Sequence, residues 1–516
     1  MKGIKKAAAL LMCAAMIFSM FGCKAKDAVI DTISEINKTE PDPGIDEIGY
    51  TLPYLRTDSL DPYKAESELN LALSTLMYDS LFMLTNNFEV KPLMAESYKT
   101  EDNKITVKLK NVKFYDGIEV SADDVVYSFV KAKRSSVYSP FLKNLSDATA
   151  SDSTTVVFTM SNLNPFEAAN LTFPIVKRGD VDDTSEGYTT DISIGSGRYV
   201  FKDDGKSKFL VVNKSRLGDY HPKYNRIGLR DITEVSSVPT LFSLGEIDFY
   251  TESFSDGKYK HYTGSTAKIN TTKFTYLGVN SNRRALRDNR VRRAIALLLD
   301  REDIANIAYN GCGIATVTPF CTGFYALKDC TVPSLRQNRQ AAIELLEDAG
   351  YDQVSGIGIR YGNETSLELS LAVNKDNDFR LAIARNIQQA LGKANIKINI
   401  RELSYNSYVY AVEDCSFDLY IGETQLPNSM DLSRFFNEDG ELSCGISEES
   451  ESISAYNKFE DGKLTMQEFL DVFCDDLPFI PIAYRQGMTL RSDKIKTASK
   501  TVTGDYFYNI DEWTAE

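Results

Sequence analysis

Most of the chemistry open to this chain must come from carboxylates and tyrosines, because its other reactive side chains are scarce. It has 73 Asp and Glu residues against 58 Lys and Arg, with 28 tyrosines, 8 cysteines and only 2 histidines, His221 and His261. Two histidines give little material for a His-rich nickel site or a Ser-His-Asp triad. Paired carboxylates are plentiful and would suit a secreted hydrolase acting on glycosides, although sequence gives no separation between them. Asn457–Glu468 (NKFEDGKLTMQE) resembles a calcium loop in placing Gly462 sixth and Glu468 twelfth. Phe459 stands at a ligand position, so a helix–turn–helix is expected there instead. No GxxxxGK[ST] phosphate loop occurs, so nothing in the chain points to ATP hydrolysis. No catalytic residue, metal site or cofactor is assigned.

Six cysteines lie beyond residue 23: Cys312, Cys321, Cys330, Cys415, Cys444 and Cys474. An even number outside the cytoplasm permits disulfides, and a reducing niche would leave buried thiols. Cys321 and Cys330 flank a short loop containing Gly323 and could close it. None has CxxC spacing, which argues against zinc.

The N-terminus points to export. Lys2, Lys5 and Lys6 precede an apolar run, Ala7 to Phe21, too short to span a membrane comfortably and suited to a secretory leader. Met20-Phe21-Gly22-Cys23 looks like a bacterial lipobox, with Cys23 as the lipidated first residue; Met20 and Phe21 depart from the usual pattern. Acyl chains would then hold the protein on a membrane surface. Lys24 to about Glu47, with Pro41, Pro43 and Gly44, reads as a linker.

A chain of 516 residues is too long for one core, so two or three domains are expected. The net charge of −15 becomes −18 without residues 1–22 and argues against nucleic acid. The organising stretch is Thr275–Gly311. A strand over 273–280 leads to a helix capped by Asp288, with Val291, Ala294, Ile295, Leu298 and Leu299 on one face. A second helix runs from about Arg301 until Gly311. Earlier, strands are expected at 48–52, 105–109 and 152–160, and a helix at 67–79. Another helix is capped by Ser121, with Asp124 completing a capping box and Val125, Val126, Phe129 and Val130 facing inward. Arg290, Arg292 and Arg293 read as a solvated, paired helix face. Strands at 366–373 and 396–400 flank a helix over 378–392, which predicts a parallel pair. Leu477–Tyr484 reads as a return crossing.

Several of these stretches carry a resemblance. They are Leu60-Asp61-Pro62, Pro92 to Ser97, Val112–Phe129 (VKFYDGIEVSADDVVYSF), Gly195 to Phe201, and His221 to Tyr224. Leu244 to Asp248, Asp288 to Ala294, Leu299-Asp300-Arg301, Ala341 to Tyr351 and Leu477 to Tyr484 complete the series. In this order, over about 50–484, the chain resembles the peptide/nickel/oligopeptide (family 5) extracellular solute-binding proteins of ABC importers.

The resemblance implies an α/β, two-lobed periplasmic-binding-protein-like (type II, cluster C) fold with an extra subdomain in the first lobe. The expected divisions are a leader over 1–22 and a linker over 23–47 after lipidated Cys23. Lobe I comprises 48–60, 186–274 and 479–516, the extra subdomain 61–185, and lobe II 275–478. The implied function is capture of a small solute, a peptide favoured, between lobes that close about a hinge and deliver it to ABC permease subunits. The protein would be a monomer outside the cytoplasm, tied to the membrane by its lipid. A solute sensor that transports nothing is the lesser alternative.

The implied ligand-binding residues are Glu66, Tyr276, Lys375, Gly422, Glu423, Thr424, Gln425, Asn428 and Asp431. Glu66 matches a carboxylate that faces the ligand in oligopeptide receptors, and Lys375 lies near a cation for a peptide carboxylate. Where peptide-binding relatives have Gly-Trp and then an Asp for the peptide ammonium, this chain has Gly422-Glu423, with Leu426 nearest the Asp. Either Glu423 or Asp431 takes that role, or the ligand lacks the amine.

Overall fold

Strand β1 (Ile45–Leu55) begins the described part of the chain, which a computed structural model gives for residues 45–179, 192–216, 220–254, 256–258, 264–362 and 365–515. Cys23 with its lipobox, the leader, the linker up to residue 44, and His261 lie outside the described residues. Residues Asp46–Glu516 form one unit. Helix α1 (Glu68–Met77) starts where the Ser67 hydroxyl accepts the Asn70 N–H, and its apolar positions Leu69, Leu73 and Leu76 are buried.

Strands β2 (Ala95–Glu101) and β3 (Lys104–Leu109) then form a hairpin. Helix α2 (Ala122–Ala132) opens on the expected capping box, Ser121 and Asp124 exchanging both bonds. Val125 and Phe129 are buried, but Val130 points to solvent and is 43% exposed, because it falls past the edge of the apolar stripe. Strands β4 (Leu145–Asp152) and β5 (Thr155–Met160) complete an antiparallel sheet of order β2-β3-β5-β4. Its core is Phe114, Phe129, Phe158, Phe173 and their neighbours, separate from the cores around the other sheets.

Strands β6 (Tyr199–Asp203), β7 (Lys208–Val212) and β8 (Tyr224–Ile232) join β1 in the order β1-β8-β7-β6. The one tryptophan, Trp513, packs here on Tyr50 and Phe249, with centroids 5.4 and 4.8 Å away. The C-terminal segment thus seals the core beneath the first strand.

The third sheet begins with β9 (Phe249–Glu252) and the 15-residue β10 (Ser265–Val279). Helices α3 (Asn289–Leu298) and α4 (Arg301–Ala308) follow, capped by Asp288 and Asp300. The charged face of α3 differs from expectation. Arg290 and Arg293 pair at the surface with Asp288 and Asp475, but Arg292 is 4% exposed. It reaches the Asp476 carboxylate (2.7 Å) and the backbone carbonyls of Leu286, Arg287 and Asp476. Its role is to tie α3 to a distant helix end.

Strand β11 (Glu368–Asn374), helix α5 (Asp378–Gly392) and strand β12 (Lys397–Leu403) form the expected parallel β-α-β unit. After β13 (Leu419–Gln425), helices α6 (Glu451–Glu460) and α7 (Met466–Asp476) make the helix–turn–helix. Glu468 is the capping-box partner of Thr465. Strand β14 (Phe479–Arg491) returns along β10, from Gly278↔Phe479 to Ser265↔Arg491, in a sheet of order β9-β14-β10-β13-β11-β12.

The cysteines also depart from expectation. Cys321 and Cys330 are both free thiols, and the disulfide joins Cys415 to Cys444, with Cα atoms 5.7 Å apart. Burial of Cys321 pushes its thiol up to about 12, so it remains protonated at neutral pH. No helix among the described residues is long and apolar enough to cross a membrane.

Candidate functional site

A cavity of about 900 Å³ is walled by segments far apart in sequence. One wall is α1, from Glu66 just before its cap, through Leu71, Ser74 and Thr75, to Tyr78 and Asp79 past its end. A second wall comes from an irregularity in the β10–β14 ladder. Ile269 faces Gly487 and Lys273 faces Arg485, so four residues advance on one strand against two on the other. The intervening Asn270-Thr271-Thr272, three residues opposite Gln486 alone, form a bulge that lines the cavity. Gln425 and Asn428 extend this wall, while Thr503–Tyr506 and Tyr508–Glu512 close another side.

Glycine sets one contact. A β-carbon at Gly197 would run into the Met77 carbonyl at the end of α1. Its absence lets the chain entering β6 approach, so that Arg198 donates to the carbonyls of Thr75 (3.2 Å) and Phe507 (2.8 Å). The stretch Gly195 to Phe201, one of those that carry the resemblance, therefore places a cation on the wall.

Every cation lining the cavity is paired. Lys273 lies 3.2 Å from Glu68, Arg198 2.8 Å from Asp505, and Arg216 2.6 Å from Asp79. Desolvation pushes the Tyr220 phenol up to about 12 and raises those of Tyr138 and Tyr506, so all three stay neutral hydrogen-bonding groups.

Of the residues singled out from sequence, Glu66, Gln425 and Asn428 lie on this wall. The others lie elsewhere. Gln425, Lys273 and Arg485 form one cross-strand row, and Glu423 with Thr275 is the next pair on the same face. There the Glu423 carboxylate meets the Arg485 guanidinium at 3.1 Å and accepts hydroxyl bonds from Thr275 and Tyr309, both 3.4 Å. Tyr276 points to the opposite face, buried, its hydroxyl 3.1 Å from that of Tyr420. A β-carbon at Gly422 would strike the Tyr276 ring, so glycine permits that packing. Thr424 accepts from Arg434 at 2.6 Å. Asp431 accepts from the Tyr456 hydroxyl (3.0 Å) and the Ser433 N–H (2.6 Å). Lys375 is exposed beyond β11, its N–H bonded to the Leu403 carbonyl.

Both carboxylates considered for an amine, Glu423 and Asp431, thus have internal partners. Sequence reading missed the three wall ion pairs and the Thr503–Glu512 wall. Asp79–Arg216 and Arg198–Asp505 join residues 137 and 307 positions apart, and only folding brings them together.

Near Asn428 the two walls are stitched to the segment after β5. Asn428 donates to the Thr172 hydroxyl (3.1 Å), and Asn170 exchanges bonds with Ser429. Beneath them Glu167 is 1% exposed, hydrogen-bonded to Asn170 and Asn144, and burial raises its carboxyl to about 7. Burial likewise raises Glu460 to about 8.

Residues 89–439 match the family described as bacterial extracellular solute-binding proteins, family 5 middle. Among curated relatives, the oligopeptide-binding protein AppA of Bacillus subtilis (strain 168) is 25% identical over 67% of each chain. The periplasmic murein peptide-binding protein MppA of Escherichia coli (strain K12) is 25% identical over 72% of this chain and 74% of its own. Among solved structures, the unliganded open form of MppA superposes with a TM-score of 0.70 at 19% identity, covering 88% of this chain and 95% of that one. NikA from Brucella suis with Fe(III)-EDTA gives 0.67 at 17% identity, over 92% and 100%. These likenesses show the fold, an α/β two-lobed type II binding protein.

Proposed function

Because the chain belongs to the family 5 bacterial extracellular solute-binding proteins, we propose that it captures a small solute, a peptide by preference, and delivers it to the permease of an ABC importer. The observation that carries this is the cavity of about 900 Å³, lined by tyrosines, amides and ion pairs drawn from α1, the β10 bulge, the β13 end and the C-terminal segment. That size and mixture suit a solute of several residues. Glu66, Gln425 and Asn428 would touch it directly, and the Glu423–Arg485 pair, Tyr276, Thr424 and Asp431 would hold the sheet behind them.

The mechanism is hinge closure. A solute that contacts walls from both lobes only when they shut favours the closed state by that difference in affinity. Moving the balance from 1:99 to 99:1 takes about 5.5 kcal/mol. Lobe I is assigned to 48–60, 186–274 and 479–516 with its subdomain at 61–185, and lobe II to 275–478, so β10 and β14 would carry the passages between them. The chain would work outside the cytoplasm as a monomer tethered through Cys23.

Native mass spectrometry of the protein taken from its own host tests this reading. The expected result is a low-mass ligand released intact on denaturation, which also stabilises the stripped protein saturably. Turnover of an added peptide or glycan would instead favour a hydrolase.

A further inference from the structure

The charge inventory of the cavity wall goes beyond the expected residues. Its three cations are committed to Glu68, Asp505 and Asp79, each within 3.2 Å. Glu512, also on the wall, pairs with Lys500 at 3.2 Å. Two wall carboxylates, Glu66 and Asp511, have no ion pair among the described residues. A second observation lies on the same C-terminal wall as Asp511. Thr503, 8% exposed, has a buried hydroxyl on the same wall with no hydrogen-bond partner among the described residues. A buried hydroxyl without a partner is uncommon in a folded protein and suits a group that completes its bonding with a guest.

The two open carboxylates sit toward opposite ends of α1. Glu66 precedes its first turn. At the other end Arg216 grips Asp79 and lies over the Tyr220 ring (5.7 Å), and three residues on the Lys223 N–H donates to the Asp511 carbonyl (3.2 Å). Ten helical residues span about 15 Å, the length of about four or five extended peptide residues.

We propose that this cavity selects an elongated solute of net positive charge, with one basic group at Glu66 and another at Asp511, a basic oligopeptide of about four or five residues fitting best. The inference rests on the solute-binding reading and adds the ligand's charge and two points of attachment, of which Asp511 belongs to no motif read from sequence. An acidic guest would find every wall cation already paired and would close over two carboxylates of its own sign. A basic guest neutralises both as water leaves.

The test is calorimetric titration of the mature protein with Lys-Ala-Ala-Ala-Lys, Ala₅, Glu-Ala-Ala-Ala-Glu and spermine. The lysine peptide should bind at least tenfold more tightly than Ala₅, and the glutamate peptide more weakly than either. Spermine separates charge spacing alone from peptide recognition, and equal binding of spermine assigns the site to polyamines as well. Glu66→Gln and Asp511→Asn should each lower lysine-peptide affinity about tenfold, a larger loss than for Ala₅, and the double variant should abolish the preference. Equal or reversed ranking, or a preference that survives both substitutions, overturns the inference. So does failure of every probe to bind. Intact ligand recovered from the host protein then decides whether solute binding itself stands, and a neutral or acidic one overturns the charge assignment alone.

Discussion

Glu66 and Glu423 are both carboxylates that the family resemblance implies for the ligand, yet the fold gives them opposite circumstances. Glu66 stands exposed at the mouth of α1, with no ion pair among the described residues. Glu423 is one cross-strand pair away from the cavity wall and is closed off by Arg485, itself 4% exposed, with Thr275 and Tyr309. A charge in the sequence is therefore not yet a charge available to a ligand. What decides is whether a counter-charge arrives from another strand, and β14 supplies one to Glu423 alone.

The sharpest way to break this contrast is Glu423→Ala. Removing the carboxylate leaves a buried guanidinium without its counter-ion, and loss of one partner from such a pair costs about 3–5 kcal/mol. Urea denaturation should show that loss, whereas Glu66→Ala should change stability by less than about 0.5 kcal/mol. Equal, small effects would mean that the Arg485 pair is not the internal brace described.

Glu167 offers a third circumstance, burial without any cation, and it sharpens the comparison through pH. Its neighbours are the amides of Asn170 and Asn144 and the like charge of Asp431, so a proton neutralises it. Its carboxyl is raised from 4.5 to about 7 in the folded chain. The folded state therefore binds the extra proton, the stabilisation is complete below about pH 4.5, and it is lost as pH rises through about 7. The expected loss between pH 5 and 8 is roughly 3 kcal/mol from this group. Glu460, raised to about 8, acts in the same direction. Glu167→Gln should remove most of Glu167's share, measured as the difference in urea stability between the two pH values. An undiminished difference would assign the effect to Glu460 or elsewhere.

How much of this was legible in the sequence follows from distance along the chain. Helix starts at Ser67, Ser121 and Asp288 were readable because cap and helix are adjacent. The parallel β11–β12 pair was readable because β-α-β order admits few alternatives. The family resemblance singled out Glu66, Gln425 and Asn428, which line the cavity, but gave no sign of the partners that distinguish them from Glu423 and Asp431. Arg292 looked solvated because its charge was visible and Asp476, 184 positions away, was not. Cys415–Cys444 was hidden for a simpler reason: six cysteines allow 15 pairings, and nothing in their spacing favours this one over the shorter Cys321–Cys330 loop. The β10 bulge, which moves Asn270–Thr272 into the cavity, has no signature in those residues that an ordinary strand would lack.

The smallest expected effect separates a wall ion pair from a brace. Lys273 pairs with Glu68 at 3.2 Å, and Glu68 is 49% exposed, with Ser253 also bonded to it. Water can replace the ammonium there, so Lys273→Met should cost no more than about 1 kcal/mol of stability. Its consequence for binding has a definite sign. Glu68 would become a third unpaired carboxylate on the wall, and affinity for Lys-Ala-Ala-Ala-Lys should rise about twofold to fivefold while that for Glu-Ala-Ala-Ala-Glu falls. An increase for the glutamate peptide would mean that Lys273 faces no guest and that the wall is not read by charge.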